Sequence, residues 1–232
     1  MRHAIITGGS RGIGLAVAAE LDAHGWGVFL VSQHPESLAV ASAQLKNLAG
    51  TLAVDLSNGE AAARDVHAAV ARVLDSVDLL VLNAGIFVEE HLTAIREQIF
   101  RQNMAVNLDA SLFLTKHLLP VLRKAERPRI VIIGSTAAYA AYPPGPAYSI
   151  AKWALRGLAL NLRHELRKER IGVTFLAPGG VLTDMWDKDE APPDRLLQPR
   201  DVAVLVTALT ELSDQAVVDE IILRPMQGDV NT

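Results

Sequence analysis

Seven short apolar runs, separated by longer alanine- and leucine-rich segments, constrain this chain more than any other feature of its sequence. They lie at 4–7, 28–31, 51–54, 79–82, 130–133, 173–176 and 220–223. A strand-length run followed by a helix-length segment, repeated, predicts an α/β chain. The runs AIIT, LLVL and IVII are apolar throughout instead of alternating, so both faces of the sheet should be covered, and the strands should be parallel. Right-handed crossovers then give a doubly wound, Rossmann-like sheet of seven mostly parallel strands with helices on both faces. Ligands of such a sheet bind at the carboxyl ends of its strands, near the point where strand order reverses.

The chain has 232 residues, half of them hydrophobic, which suffices for one core, and no Gly-, Pro- or Ser-rich stretch is long enough to be an interdomain linker. A single domain over 1–232 is therefore expected. Its irregular places are YPPGP at 142–146 and the segment at about 183–199, a short candidate substrate loop; both follow predicted strands. A net charge of −4 argues against nucleic acid as a main partner. The absence of cysteine removes disulfides and thiolate chemistry. The seven histidines show no spacing that would hold a metal on one helix face, so no metal is expected. The apolar start is too short for a signal segment and runs into glycines, which reads as a cytoplasmic protein without a membrane partner.

Directly after the first run comes TGGSRGIG (7–14). Gly8, Gly12 and Gly14 permit a tight turn, close approach of backbone to phosphate, and close packing of the next helix. A pyrophosphate would sit at that helix's N-terminus, where unpaired N–H groups and the dipole favour negative charge. An NAD site usually carries an acidic residue after the second strand. This chain has Ser32, Gln33 and His34 there, and Arg11 in the turn can pair with a 2′-phosphate. NADP(H) is the expected cofactor, with NAD(H) as the alternative.

Read together with YSIAK (148–152), the turn resembles the short-chain dehydrogenase/reductase family, and the resemblance spans almost the whole chain. Thr7, Gly8, Gly12 and Gly14 match the family's TGxxxGxG motif. Further matches follow in order: Asp55 after the third strand, NAG at 83–85, Asn107 on the fourth helix, Ser135 after the fifth strand, and PGGVLT at 178–183. The resemblance implies that Tyr148 exchanges a proton with a substrate oxygen while hydride passes to or from nicotinamide, and that Ser135 polarises the same oxygen. It also implies that Lys152 holds the nicotinamide ribose and that Asn107 keeps a relay water. The implied cofactor contacts are Thr7, Gly8, Ser10, Arg11, Gly12, Ile13, Gly14, Ser32, Asp55, Leu56, Asn83, Ala84, Gly85, Tyr148, Lys152, Pro178, Gly179, Val181 and Thr183.

The chemistry can be argued without the family. Tyr148 and Lys152 are four apart, so on a helix they share a face. Lowering a tyrosine from about 10 to about 7 takes roughly 4 kcal/mol, and a lysine at about 4 Å supplies on the order of 4 kcal/mol. Burial opposes the phenolate, so the positive charge of oxidised nicotinamide is expected to contribute.

Ala137, Ala138, Tyr139, Tyr142, Pro143, Met185 and Trp186 are the candidate pocket residues. Such walls suit a small, uncharged or partly apolar carbonyl or secondary alcohol. A basic patch of Arg123, Lys124, Arg127 and Arg129 keeps a 3-oxoacyl-carrier-protein reductase activity open, and a non-catalytic NADP(H)-sensing regulator is the rival from another class. The finish EIILRPMQGDVNT departs from the family's usual glycine-rich ending. Small and apolar residues on the helix after Tyr148, including Ala151, Ala154, Leu155, Gly157, Leu158 and Leu162, form a broad surface of which some must pack on the sheet; the rest, together with the family's habit, points to a homodimer or homotetramer.

Overall fold

A computed structural model describes residues 1–142, 145–184 and 192–229. All seven predicted strands form: β1 His3–Thr7, β2 Gly27–Ser32, β3 Leu48–Ala53, β4 Leu79–Leu82, β5 Arg129–Ile133, β6 Gly172–Pro178 and β7 Glu220–Leu223. They make one parallel sheet in the order β3-β2-β1-β4-β5-β6-β7. Strand order reverses between β1 and β4, which fixes the ligand edge at their carboxyl ends. Only β3 differs noticeably from the expected span. It starts earlier, because as an edge strand it is half exposed and carries no continuous apolar signal at its beginning.

Among the described residues seven α-helices flank the sheet: α1 Gly12–Ala23, α2 Pro35–Ser42, α3 Glu60–Ala71, α4 Glu97–Met104, α5 Ala110–Leu122, α6 Pro146–Leu166 and α7 Pro199–Thr210. Because successive strand side chains point to opposite faces, each strand feeds two cores. Ile5, Phe29, Leu80, Ile132 and Phe175 join one core with α3, α5 and α6. Ala4, Ile6, Leu30, Val81 and Val131 join the other with α1 and α7. This is why the inner strands are nearly continuous apolar runs. No helix among the described residues is long and apolar enough to cross a membrane.

Between α4 and α5 the backbone widens into a π turn, Ala105–Asp109. Asn107 therefore sits in this widened turn and not within a regular fourth helix, and it is fully buried. Single π turns inside helices recur at functional sites, since the extra residue redirects one side chain.

Candidate active site

The glycine turn is built by hydrogen bonds between β1 and β4. The buried Thr7 hydroxyl accepts from the backbone N–H of Asn83 at 2.9 Å and of Ala84 at 3.0 Å, and donates to the Val81 carbonyl at 3.3 Å. Asn83 Nδ2 returns a hydrogen bond to the Thr7 carbonyl at 2.9 Å. The turn from β1 into α1 tolerates no side chain at two points. Gly8 has φ +62°, and a Cβ on Gly14 would come within 2.2 Å of the Gly8 carbonyl oxygen. The start of α1 is thereby pressed against the turn, leaving a cradle of backbone beside a helix N-terminus. That cradle fits a pyrophosphate.

Around it, the Ser10 and Ser32 hydroxyls lie 2.8 Å apart, joining the turn to the end of β2. No carboxylate follows β2, and the exposed Gln33 instead donates to Asp55 Oδ2 at 3.3 Å. Asp55 also caps the turn after β3 by accepting from Ser57 N at 2.9 Å. Leu56 behaves differently from its expected cofactor role: its side chain is buried in the core, which leaves only its main chain for a ligand. Arg11 is exposed and pairs with Asp184 at 3.4 Å, so the candidate phosphate-binding arginine already has an acidic neighbour across the site.

After β6, Gly179 N–H donates to the Leu223 carbonyl at 2.8 Å. The base of the substrate loop is closed by Leu182 N–H donating to the Leu197 carbonyl at 2.8 Å, and Leu197 N–H to the Gly180 carbonyl at 2.9 Å. Thr183 packs over the turn, its methyl 3.0 Å from where a Gly12 Cβ would stand. Val181 is buried beside Leu197. Pro178 ends β6, and Ile13 opens α1 half-buried.

Ser135, Tyr148 and Lys152 come together on the other side of the same edge. Ser135 ends the β5 segment in extended backbone and caps a short turn, its hydroxyl accepting from Ala137 N at 3.1 Å. Tyr148 and Lys152 lie in the first half of α6, where one helical turn places the Lys152 Nζ 5.4 Å from the Tyr148 ring centroid. Lys152 is buried and donates to the Ile133 carbonyl at 3.3 Å. Burial drives the pair toward neutrality: the Tyr148 phenol is pushed up to about 12, chiefly by desolvation, with the Ser135 hydrogen bond lowering it and Tyr142 raising it. Lys152 is pushed down to about 8, again by desolvation. The helical spacing is as expected, and desolvation sets the direction of both shifts.

Asn107 reaches the site through the backbone. Its Nδ2 donates to the Ile86 carbonyl at 2.9 Å, and its Oδ1 accepts from Ile86 N–H at 3.2 Å. A second buried amide, Asn103, accepts from Asn107 Nδ2 at 3.3 Å. Gly85 leaves room for this arrangement, since a Cβ there would stand 2.7 Å from Asn107 Oδ1 and 3.6 Å from Lys152 Nζ.

Several expected pocket residues point elsewhere. Ala137 and Ala138 are buried, and Ala138 belongs to the core. Tyr139 turns to the sheet end, where its hydroxyl donates to Glu220 at 2.7 Å, and Arg156 stacks on its ring at 4.3 Å while holding the same carboxylate. Tyr142 does reach the site, 6.2 Å from the Tyr148 ring. Pro143, Met185 and Trp186 lie outside the described residues. In the expected basic patch the three arginines have partners, while Lys124 is exposed: Arg123 pairs with Glu169, Arg127 with Asp214, and the buried Arg129 donates to the carbonyls of Leu212, Ser213 and Ala216. Sequence reasoning missed Phe87, which packs edge-on against Tyr148; an aromatic residue directly after NAGI was the available signal.

The fold and this edge define a class, the Rossmann-like proteins with a glycine turn at β1 and a Ser/Tyr/Lys set across the sheet end. A family model described as short chain dehydrogenase matches residues 2–194, and the chain belongs to that family of oxidoreductases. It is 31% identical over 248 residues to a sepiapterin reductase of Chlorobaculum tepidum, covering 99% of both chains. Among solved structures, a metagenomic short-chain oxidoreductase in complex with NADP superposes with a TM-score of 0.84 at 29% identity, covering 97% of each chain. An alcohol dehydrogenase from Thermococcus sibiricus complexed with 5-hydroxy-NADP gives a TM-score of 0.89 at 27% identity, again with 97% of each chain covered.

Proposed function

We propose that this chain is an NADP(H)-preferring oxidoreductase that interconverts a carbonyl and a secondary alcohol on a small, uncharged or partly apolar substrate, with Tyr148 moving the proton. The observation that carries the reading is the meeting of Ser135, Tyr148 and Lys152 at the ligand edge, in hydrogen-bond and helical-turn contact. When bound, the dinucleotide supplies or accepts the hydride. The chain's own groups do the rest. Ser135 and Tyr148 hold the substrate oxygen, and Tyr148 donates its phenolic proton as the oxygen gains negative charge. A phenol pushed up to about 12 is protonated at neutral pH and ready to donate, which suits carbonyl reduction. Lys152, pushed down to about 8, still carries its proton near pH 7 and stabilises the phenolate left behind.

The lack of a carboxylate at Ser32, Gln33 and His34 supports NADP(H), as does Arg11, for which an incoming 2′-phosphate would compete with Asp184. Both solved relatives above contain NADP or a derivative of it, and the full-length relative is a reductase by name. The acyl-carrier-protein alternative is weakened where Arg123 and Arg127 are paired with acids, leaving Lys124 as the exposed cation of that patch. The test is NADPH oxidation with benzaldehyde, cyclohexanone and diacetyl, followed at the absorbance of the reduced nicotinamide. Turnover should fall about 10³-fold in Tyr148→Phe while NADPH affinity holds. Cofactor binding without turnover of any carbonyl would favour a sensor instead.

We assign the assembled form, a homodimer or homotetramer in the cytoplasm, to the outer face of α6. Ala151, Leu155 and Leu162 are used by the core, but Ile150, Trp153 and Leu160 remain 44%, 46% and 46% exposed on one side of the helix. Trp153→Glu should shift the protein to a smaller species in size-exclusion chromatography.

A further inference from the structure

Phe87 has no place in the proton-transfer set, yet it touches the tyrosine of that set and the pocket ring beside it. Its ring meets Tyr148 edge-on, with centroids 5.5 Å apart and planes at 87°, and meets Tyr142 at 5.7 Å and 70°. Edge-to-face pairs of this kind contribute orientation as well as burial. The same ring occupies the space beside Gly145, the residue that caps α6: a Cβ on Gly145 would approach Phe87 Cε2 at 2.4 Å. Gly145 has a negative φ of −149°, so left-handed freedom is not what a glycine supplies here. What it supplies is room for Phe87.

Phe87 is itself held from behind. The preceding residue, Ile86, has both its N–H and its carbonyl tied to the Asn107 amide, at 3.2 and 2.9 Å. Asn107 is fully buried, presented by the π turn and braced by Asn103. A continuous path of contacts therefore runs from the π turn through Ile86 to Phe87, and from there to the first turn of α6 and the Tyr148 ring.

We infer that Phe87 is a positioning residue: anchored by Asn107 through Ile86 and seated against Gly145, it fixes the start of α6 and the ring of Tyr148 so that the phenol stays at Ser135. This rests on the proton-transfer reading of Tyr148. A misplacement of the reacting group by about 1 Å can cost on the order of 10²-fold in rate, so loss of this wedge should be felt in turnover and not in cofactor binding.

The test combines four variants, Phe87→Ala, Phe87→Tyr, Gly145→Ala and the double variant Phe87→Ala/Gly145→Ala, with reduction of the best carbonyl of the panel above and NADPH titration by fluorescence. Phe87→Ala should lower kcat about 10- to 100-fold with NADPH affinity changed less than about three-fold, and Phe87→Tyr should restore kcat to within about three-fold of the parent. Gly145→Ala should lower both kcat and Tm in the parent, because its Cβ meets the ring, and change neither appreciably once Phe87 is alanine. Additive effects of the two substitutions, or a Phe87→Ala variant with parental kcat while Tyr148→Phe is inactive, would overturn the inference and leave the oxidoreductase reading intact. A parent protein that turns over no carbonyl would remove that reading and this inference together. If Gly145→Ala fails to fold, the Phe87→Ala and Phe87→Tyr pair decides.

Discussion

The glycine turn and the tyrosine corner occupy one edge of the same sheet but are held in place by different forces. At the turn the partners are backbone groups and short side chains. Thr7 and Asn83 tie β1 to β4 with four hydrogen bonds, and the bare α-carbon of Gly14 lets α1 press against Gly8. At the corner the partners are large rings and a buried cation. Phe87, Tyr142 and Tyr148 pack against each other, and Lys152 sits under the tyrosine with its charge opposed by its surroundings. The side chains that build the turn are hydrogen-bonded and it leaves only the uncapped N–H groups at the start of α1 for an anion, whereas the corner keeps two ionisable groups away from their ordinary pKa values. Perturbed groups of this kind cluster where chemistry is done.

The sharpest way to break the comparison is Gly14→Ala. Its Cβ would strike backbone at 2.2 Å, which cannot move as a side chain tip can, so NADPH binding by calorimetry should weaken about 100-fold or more. Catalytic groups at the corner would be untouched, so any loss of the Ser135–Tyr148 geometry in a crystal structure of the variant would blur the distinction between the two regions.

A second effect belongs to the corner. The Lys152 pKa is lowered in the fold, so the buried ammonium costs stability at every pH below about 8, the cost shrinks as pH rises toward 10.5, and it vanishes above that. Lys152→Met should therefore be more stable than the parent near pH 7, by on the order of 3 kcal/mol. The advantage should fade between about pH 8 and 10.5 in urea unfolding curves recorded across that range. A pH-independent difference would mean that the lysine is not desolvated as described.

The smallest effect is expected at the exposed rim of the turn. Arg11 and its partner Asp184 are both about three-quarters exposed, so their pairing contributes little to folding. Arg11→Ala should leave Tm within about 1 °C but reduce the preference for NADPH over NADH by about ten-fold, through loss of one charge-assisted contact to the 2′-phosphate. An unchanged preference would move the cofactor selectivity to another residue.

What could be read along the chain differs between the two regions in the same way. The glycine turn, the missing acid after β2 and the pairing of Tyr148 with Lys152 were legible, because each depends on residues a few positions apart whose spacing fixes their geometry. The seven strands were legible for a related reason. A strand buried on both faces is apolar at nearly every position, and the half-exposed edge strands β3 and β7 carry that pattern least fully. The sequence shows that part of the apolar surface of α6 must pack on the sheet but not which part: Ala151, Leu155 and Leu162 face the core while Ile150, Trp153 and Leu160 face outward. Composition shows that a helix is apolar, but its rotation on the sheet decides which side is wet.

By itself, then, the sequence determined the order and direction of the strands, the turn that accepts a dinucleotide, and the phenol and amine one helical turn apart. Those follow from local stereochemistry and from the periodicity of burial. Only the tertiary structure decided that Phe87 wedges against Gly145 and Tyr148, that Asn107 grips Ile86, that Tyr139 turns to Glu220, and that the arginines of the basic patch are already paired or buried. Each of those contacts joins residues far apart in the chain, and their energies depend on distances that exist only after the sheet has brought its carboxyl edge together.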